Sequence, residues 1–146
     1  METNVLKFNN FLSAEDISNF LDDSPNASTL LKSPTNVKIK HFSDSDLVNL
    51  VESTVTEQVG SFYKSYYQSW GAGSSTSLHE HVEPAVYIAV IYLNDDFDGG
   101  EFFTEDETIT PEPGLMLFFD GELVPHGVNE VLNGTRKTMV IYWNKS

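Results

Sequence analysis

The sequence predicts a mainly β domain of the jelly-roll kind with helices at its N-terminal end, on three observations. From Phe62 onward aromatic and β-branched residues come in short runs broken by Gly, Pro and Asp about every 8–12 residues, the texture of a sandwich or barrel. Before that point two stretches carry apolar residues at helical spacing. The chain has 146 residues, 40% hydrophobic and 12% aromatic, enough for one domain with its own core. The expectation is therefore a single domain over residues 1–146, helical in about 1–60 and β in about 61–146.

Taken in order, "FLSAEDISNFLDD" reads as the first helix. Ser13 is a candidate N-cap, Asp16 sits three residues on in capping-box position, and Ile17, Phe20 and Leu21 form an apolar stripe. "SPNASTLLKSPTN" carries two prolines and reads as a loop, a candidate lid. "VKIKHF" alternates and fits an edge strand. "SDSDLVNLVESTVTEQVGSF" places Leu47, Leu50, Val51, Val55 and Val59 near helical spacing, so a second helix is expected to end about Gly60. The remaining runs, "FYKSYYQSW", "TSLHEHV", "AVYIAVIYLN", "EFFTEDETIT", "GLMLFF", "VNEVL" and "TRKTMVIYW", supply a core of about eight strands, with "DDFDGGE" and "PEPG" as turns.

Composition excludes several classes of function. With 22 acidic against 8 basic residues and a net charge of −14, the chain lacks the clustered cations that nucleic acid or an anionic membrane surface requires. Cysteine is absent, which removes disulfides, thiolate metal sites and thiol nucleophiles and agrees with a cytoplasmic protein. "METNVLKFNNFL" lacks the basic and apolar segments of a signal peptide, and no apolar run reaches the roughly 18 residues of a transmembrane helix.

The residues able to carry chemistry are few. His41 stands apart in a Lys-flanked strand and reads as a surface residue. In "SLHEHVEP", His79, His81 and Glu83 occupy alternate positions, which puts all three on one face of a strand. His126 follows 47 residues after His79, between a Pro and a Gly. Neutral imidazoles gathered without Cys suit iron, nickel, copper or zinc. Arg136 is the one arginine, on a strand whose Met139, Ile141 and Trp143 mark it as buried. A buried guanidinium needs an anion, and its fork matches a carboxylate bidentately. One of the chain's own acids is the plain candidate. The other is a ligand: Arg136 lies ten residues after His126, about one tight turn, so that a metal and an arginine on adjacent strands would hold a 2-oxo acid by its two ends. Tyr66, Tyr67 and Trp70, on the strand before the histidine motif, either line such a cavity or serve as core packing.

From about Tyr66 to Trp143 these pieces, in their order and spacing, resemble the 2-oxoglutarate and Fe(II)-dependent oxygenases, and among them the prolyl 4-hydroxylase-like branch. "GSSTSLHEH" is similar to the strand that ends in that family's His-x-Asp pair. "YIAVIYLNDDFDGGEFF" resembles the strand and turn that follow, and "ITPEPGLMLFFDG" the strand leading to the distal histidine. "VPHGVNEVLNGTRKTMVIYW" resembles the distal histidine with the basic residue after it, and "VLKFNNFLSAEDISNFL" the branch's N-terminal helix. The resemblance implies a double-stranded β-helix fold and Fe(II), 2-oxoglutarate and O₂ as cofactor and cosubstrates, with ascorbate as a possible aid. It implies His126 as the distal metal ligand, and Arg136 with Tyr92 and Thr138 around the remote carboxylate of 2-oxoglutarate. Oxidative decarboxylation would yield succinate and CO₂ with hydroxylation of a substrate, a prolyl residue in a peptide or protein or else a small molecule.

The departure is at the first two ligands, where the family has His-x-Asp or His-x-Glu. Gly73 precedes His79 by six residues and His79 precedes Tyr92 by 13, against 11 from His81, which favours His79 as first ligand. His81 or Glu83 is then the second, and only Glu83 keeps a carboxylate. Two alternatives stand beside this reading: a cupin-type metal-binding protein, for which "GSSTSLHEH" also fits, and a catalytically inactive β-domain that serves as an interaction module. The cupin reading gives Arg136 no role.

Overall fold

The computed structural model describes residues 4–25, 37–56, 59–81 and 84–145. Among them run β1 (Leu6–Phe8), α1 (Ala14–Asp23), β2 (Val37–His41), α2 (Ser45–Val55), β3 (Ser61–Trp70), β4 (Thr76–His79), β5 (Val86–Tyr92), β6 (Asp98–Gly99), β7 (Phe102–Thr104), β8 (Thr108–Ile109), β9 (Met116–Asp120), β10 (His126–Val128), β11 (Val131–Asn133) and β12 (Arg136–Asn144). The strands form a six-stranded sheet in the order β1-β9-β5-β12-β3-β2, a four-stranded sheet β4-β10-β7-β8, and a short ribbon β11-β6. This is the expected jelly roll. No helix among the described residues is long and apolar enough to cross a membrane.

Both helices start where the sequence places them. The Ser13 side chain accepts the backbone N–H of Asp16 at 3.1 Å, and Asp44 accepts that of Leu47 at 3.0 Å, each satisfying a donor the first turn leaves open. The second helix stops at Val55 rather than about Gly60, because Thr56 takes a left-handed conformation with φ 55°. Val59 is nevertheless buried, as its spacing suggested. The strand count exceeds the expected eight for identifiable reasons. "EFFTEDETIT" folds back on itself as β7 and β8, "DDFDGGE" contributes β6 from within a turn, and β1 adds an unforeseen edge to the large sheet. Most of the candidate lid "SPNASTLLKSPTN" lies outside the described residues.

Alternation along the large sheet builds two cores. Tyr67, Ala89, Ile91, Met116, Phe118, Met139, Ile141 and Trp143 face the helices and pack with Leu47, Val51 and Val55 of α2. Trp143 also donates its indole N–H to Glu52 at 2.8 Å, tying β12 to that helix. The opposite face carries Val86, Ile88, Val90, Tyr92, Leu117, Phe119 and Val140, which meet Phe102 and Ile109 of the small sheet. Because both faces are covered, the central strands read as nearly unbroken apolar runs. Arg136 and Thr138 belong to the second face, toward the small sheet, so the buried residues Met139, Ile141 and Trp143 that mark their strand point away from them.

Candidate metal centre

His79 ends β4 and His126 opens β10, and the two are direct partners across the antiparallel pair. His81 lies just past the strand end, where its backbone N–H donates to the Gly121 carbonyl at 2.7 Å. The side-chain atoms of the three histidines able to bind a metal all lie within 4.8 Å of one another. Their ring centroids are 4.4 Å apart for His79–His126 and 5.2 Å for each of the other pairs. Donors around one ion, each about 2 Å from it, need that closeness. Among the described residues no carboxylate joins the group, and Glu83 lies outside the described residues.

The local chemistry prepares these rings as ligands. Nδ1 of His79 lies 2.9 Å from the Ser77 carbonyl, and Nδ1 of His126 lies 2.8 Å from that of Val124. A carbonyl only accepts, so each Nδ1 carries the proton and each Nε2 keeps its lone pair. Burial pushes the His126 imidazole down to about 4. The Val124 carbonyl opposes this, and the neighbouring His79 and His81 add to it. His81 is lowered too, first by burial and then by His79 and Lys64. Disfavouring the charged form of His126 and His81 in this way leaves their lone pairs available to a cation.

The same cavity, of about 120 Å³, is lined by all three histidines, by Arg136 and Trp70, and by apolar side chains that include Ile88, Val90, Phe102, Phe119 and Val140. Arg136 is 2% exposed. Its Nε donates to the Gly100 carbonyl at 3.0 Å and one terminal nitrogen to the Tyr92 hydroxyl at 3.3 Å, while its guanidinium stacks on the Trp70 and Tyr92 rings. Gly100 holds φ 69°, and a side chain there would press on Arg136 Cδ at 3.2 Å, so that glycine lets the backbone come close enough to accept. Among the described residues no carboxylate pairs with Arg136. Among the described residues the buried Thr138 hydroxyl and Trp70 indole N–H have no hydrogen-bond partner.

One expected relation is corrected. His126 and Arg136 are not on adjacent strands: β10 belongs to the small sheet and β12 to the large one, with β11 between them in sequence. The chain crosses from one sheet to the other in the intervening residues, so the two side chains line one cavity from different sheets instead of lying along one sheet. Of the three aromatics before the histidine motif, Trp70 lines the cavity, Tyr67 packs under the helices, and Tyr66 joins the inner core. His41 is exposed on β2, with its ring against Tyr66. Gln68 and Tyr142 also line the cavity and were not singled out beforehand. Period-2 alternation from Arg136 and Trp70 would have found both.

Comparison with known proteins agrees with this architecture. Residues 62–145 match the 2OG-Fe(II) oxygenase superfamily. Prolyl 3-hydroxylase 2 of Mus musculus is 43% identical in an alignment 65 residues long, a match that covers 39% of this chain and 9% of that much longer protein. Among solved structures, a Pseudomonas putida prolyl-4-hydroxylase superposes with a TM-score of 0.72 at 16% identity, covering 97% of this chain and 92% of that one. The viral collagen prolyl hydroxylase of Paramecium bursaria chlorella virus-1, solved as its 2OG complex, gives 0.72 at 14% identity over 94% of both chains.

Proposed function

The chain belongs to the 2OG-Fe(II) oxygenase superfamily, and from that premise we propose that it is a 2-oxoglutarate- and Fe(II)-dependent hydroxylase whose metal is held by His79, His81 and His126. The observation that carries the proposal is the pairing, in one cavity, of three clustered imidazoles with a buried arginine that no carboxylate pairs among the described residues. The donor set fits the metal and the unpaired guanidinium fits the acid. When bound, the iron and 2-oxoglutarate supply the oxidising chemistry, with O₂ as oxidant and succinate and CO₂ as products.

The protein's own residues bind, orient and exclude water. Arg136 takes the remote carboxylate in its fork, backed by the Tyr92 hydroxyl, and the unpartnered Thr138 hydroxyl is a further donor to the same group. The Ser77 and Val124 carbonyls fix the imidazole tautomers. Ile88, Val90, Phe102, Phe119 and Val140 keep the reacting volume dry.

For substrate we propose a prolyl residue of a peptide or protein, because the relatives and structural neighbours named above are prolyl hydroxylases. We read residues 1–146 as one domain, since both helices pack on the β core, and a cytoplasmic location remains part of the proposal on the cysteine-free composition. No observation favours the cupin or the interaction-module alternative. The test is succinate formation by the purified chain with Fe(II), 2-oxoglutarate and ascorbate. Turnover, even without added substrate, is the expected result; absence of both turnover and 2-oxoglutarate binding would overturn the proposal.

A further inference from the structure

The inner face of β3 presents Lys64, Tyr66, Gln68 and Trp70, in register with Tyr142, Val140, Thr138 and Arg136 of β12. The six-residue step from Arg136 to Tyr142 spans about 20 Å of strand. Arg136 therefore marks one end of this ladder and the Lys64–Tyr142 pair the other. The histidines reach that second end, with the His81 and Tyr142 rings 5.8 Å apart. A 2-oxo acid stretched from the histidine cluster to Arg136 occupies the first end. The side left for a substrate is then the second.

Two features there are suited to an anion. The Lys64 ammonium sits 5.0 Å from the Tyr142 ring centroid, 5.2 Å from that of Tyr63 and 5.8 Å from that of Tyr66. Aromatic faces hold an ammonium in place but leave its N–H groups free to donate. Among the described residues no carboxylate pairs with it, in a chain where acids outnumber bases 22 to 8. The second feature is the Tyr66–Tyr142 hydroxyl pair, 2.8 Å apart. One hydroxyl donates to the other, and the accepting hydroxyl keeps its own proton for a further acceptor. Burial raises both phenols, so both remain protonated.

We propose that Lys64 and the free O–H of the Tyr66–Tyr142 pair form a subsite that reads a carboxylate on the substrate, placing a carbon close to that acid group at the reacting position. The proposal rests on the cofactor reading above, which assigns the Arg136 end to 2-oxoglutarate. It adds a substrate charge that a prolyl residue by itself does not specify.

The test is calorimetric titration of matched acid and neutral probes into the full chain loaded with Ni(II) and 2-oxoglutarate. One pair is N-acetyl-L-proline against N-acetyl-L-prolinamide, a free acid. The other is acetyl-Pro-Asp-amide against acetyl-Pro-Asn-amide, an acidic residue in a peptide. We expect about tenfold tighter binding of the acid in at least one pair, the size of a charge-assisted contact, and the pair that shows it identifies the source of the carboxylate. Lys64→Met should erase the preference and Lys64→Arg restore it, while Tyr142→Phe should weaken the acid and not its neutral partner. Equal binding of acid and neutral probe, binding of no probe, or a preference that survives Lys64→Met would overturn the proposal. Failure of 2-oxoglutarate itself to bind the wild-type chain would instead overturn the cofactor reading.

Discussion

Arg136 carries more of the functional argument than any other residue, and its environment sets what its loss should do. It is buried, and its hydrogen-bond and ring partners among the described residues are Gly100, Tyr92 and Trp70, none of them a histidine. Arg136→Ala should therefore abolish 2-oxoglutarate binding measured by calorimetry while the metal content measured by elemental analysis stays at wild-type level. Loss of metal as well would mean the arginine supports the histidine cluster instead. The second-ligand question has an equally direct test. His81 stands with its donor atoms near those of His79 and His126, so on the proposed ligand set His81→Ala should lower bound metal at least tenfold, no less than the loss of a group that only supports a ligand, while Glu83→Gln should leave it unchanged. The reverse outcome would restore a carboxylate to the site. His79, His126 and Arg136 were identifiable in the sequence because residue type and spacing mark them. The contribution of Gly100 was not, because a backbone carbonyl's partner depends on which strand the fold brings beside it.

At the scale of elements, the metal cluster depends on how closely β4, β10 and β7 approach. Gly127, next to His126, sits where an added Cβ would lie 2.8 Å from the Thr76 carbonyl oxygen and 2.7 Å from the Phe103 ring. The ring can turn, but the carbonyl belongs to the strand that carries His79. Gly127→Ala should thus push β10 from β4 and weaken metal binding, while the large sheet and its helices stay intact. A metal titration beside a circular dichroism spectrum would distinguish this from general unfolding; unchanged metal affinity would refute it. The helices follow their caps, and the long strands follow their β-branched and aromatic runs. The short strands β6 and β8 have two residues each, too few for any periodicity to register. They exist because the jelly roll supplies partners for them at that point.

Across the whole molecule, the buried histidines link the fold to pH. The ordinary imidazole value is 6.5, and folding lowers His126 to about 4 by burial. The unfolded chain then binds the proton more readily than the folded one. Stability of the metal-free protein should be complete above about pH 6.5 and fall as the pH drops toward 4, by about 3 kcal/mol at most from this group. His81, lowered in the same direction, adds to the slope. Melting temperatures across that range in the presence of a chelator would check this, and a flat profile would contradict it. Added metal should raise Tm near neutral pH, since it binds the folded site, and the gain should vanish as the imidazoles protonate. The sequence by itself determined the class of fold, the helix starts, the long strands and the residue types of the site. Those follow from local propensity, from the alternation of apolar and polar positions, and from the small number of histidines and arginines to choose among. Only the tertiary structure decided that His126 and Arg136 line one cavity from different sheets, that Met139, Ile141 and Trp143 look away from it, and that Tyr142 lines it with Lys64 over its ring. Each depends on which face of one strand meets which face of another, a relation between residues far apart in sequence that local pattern does not contain.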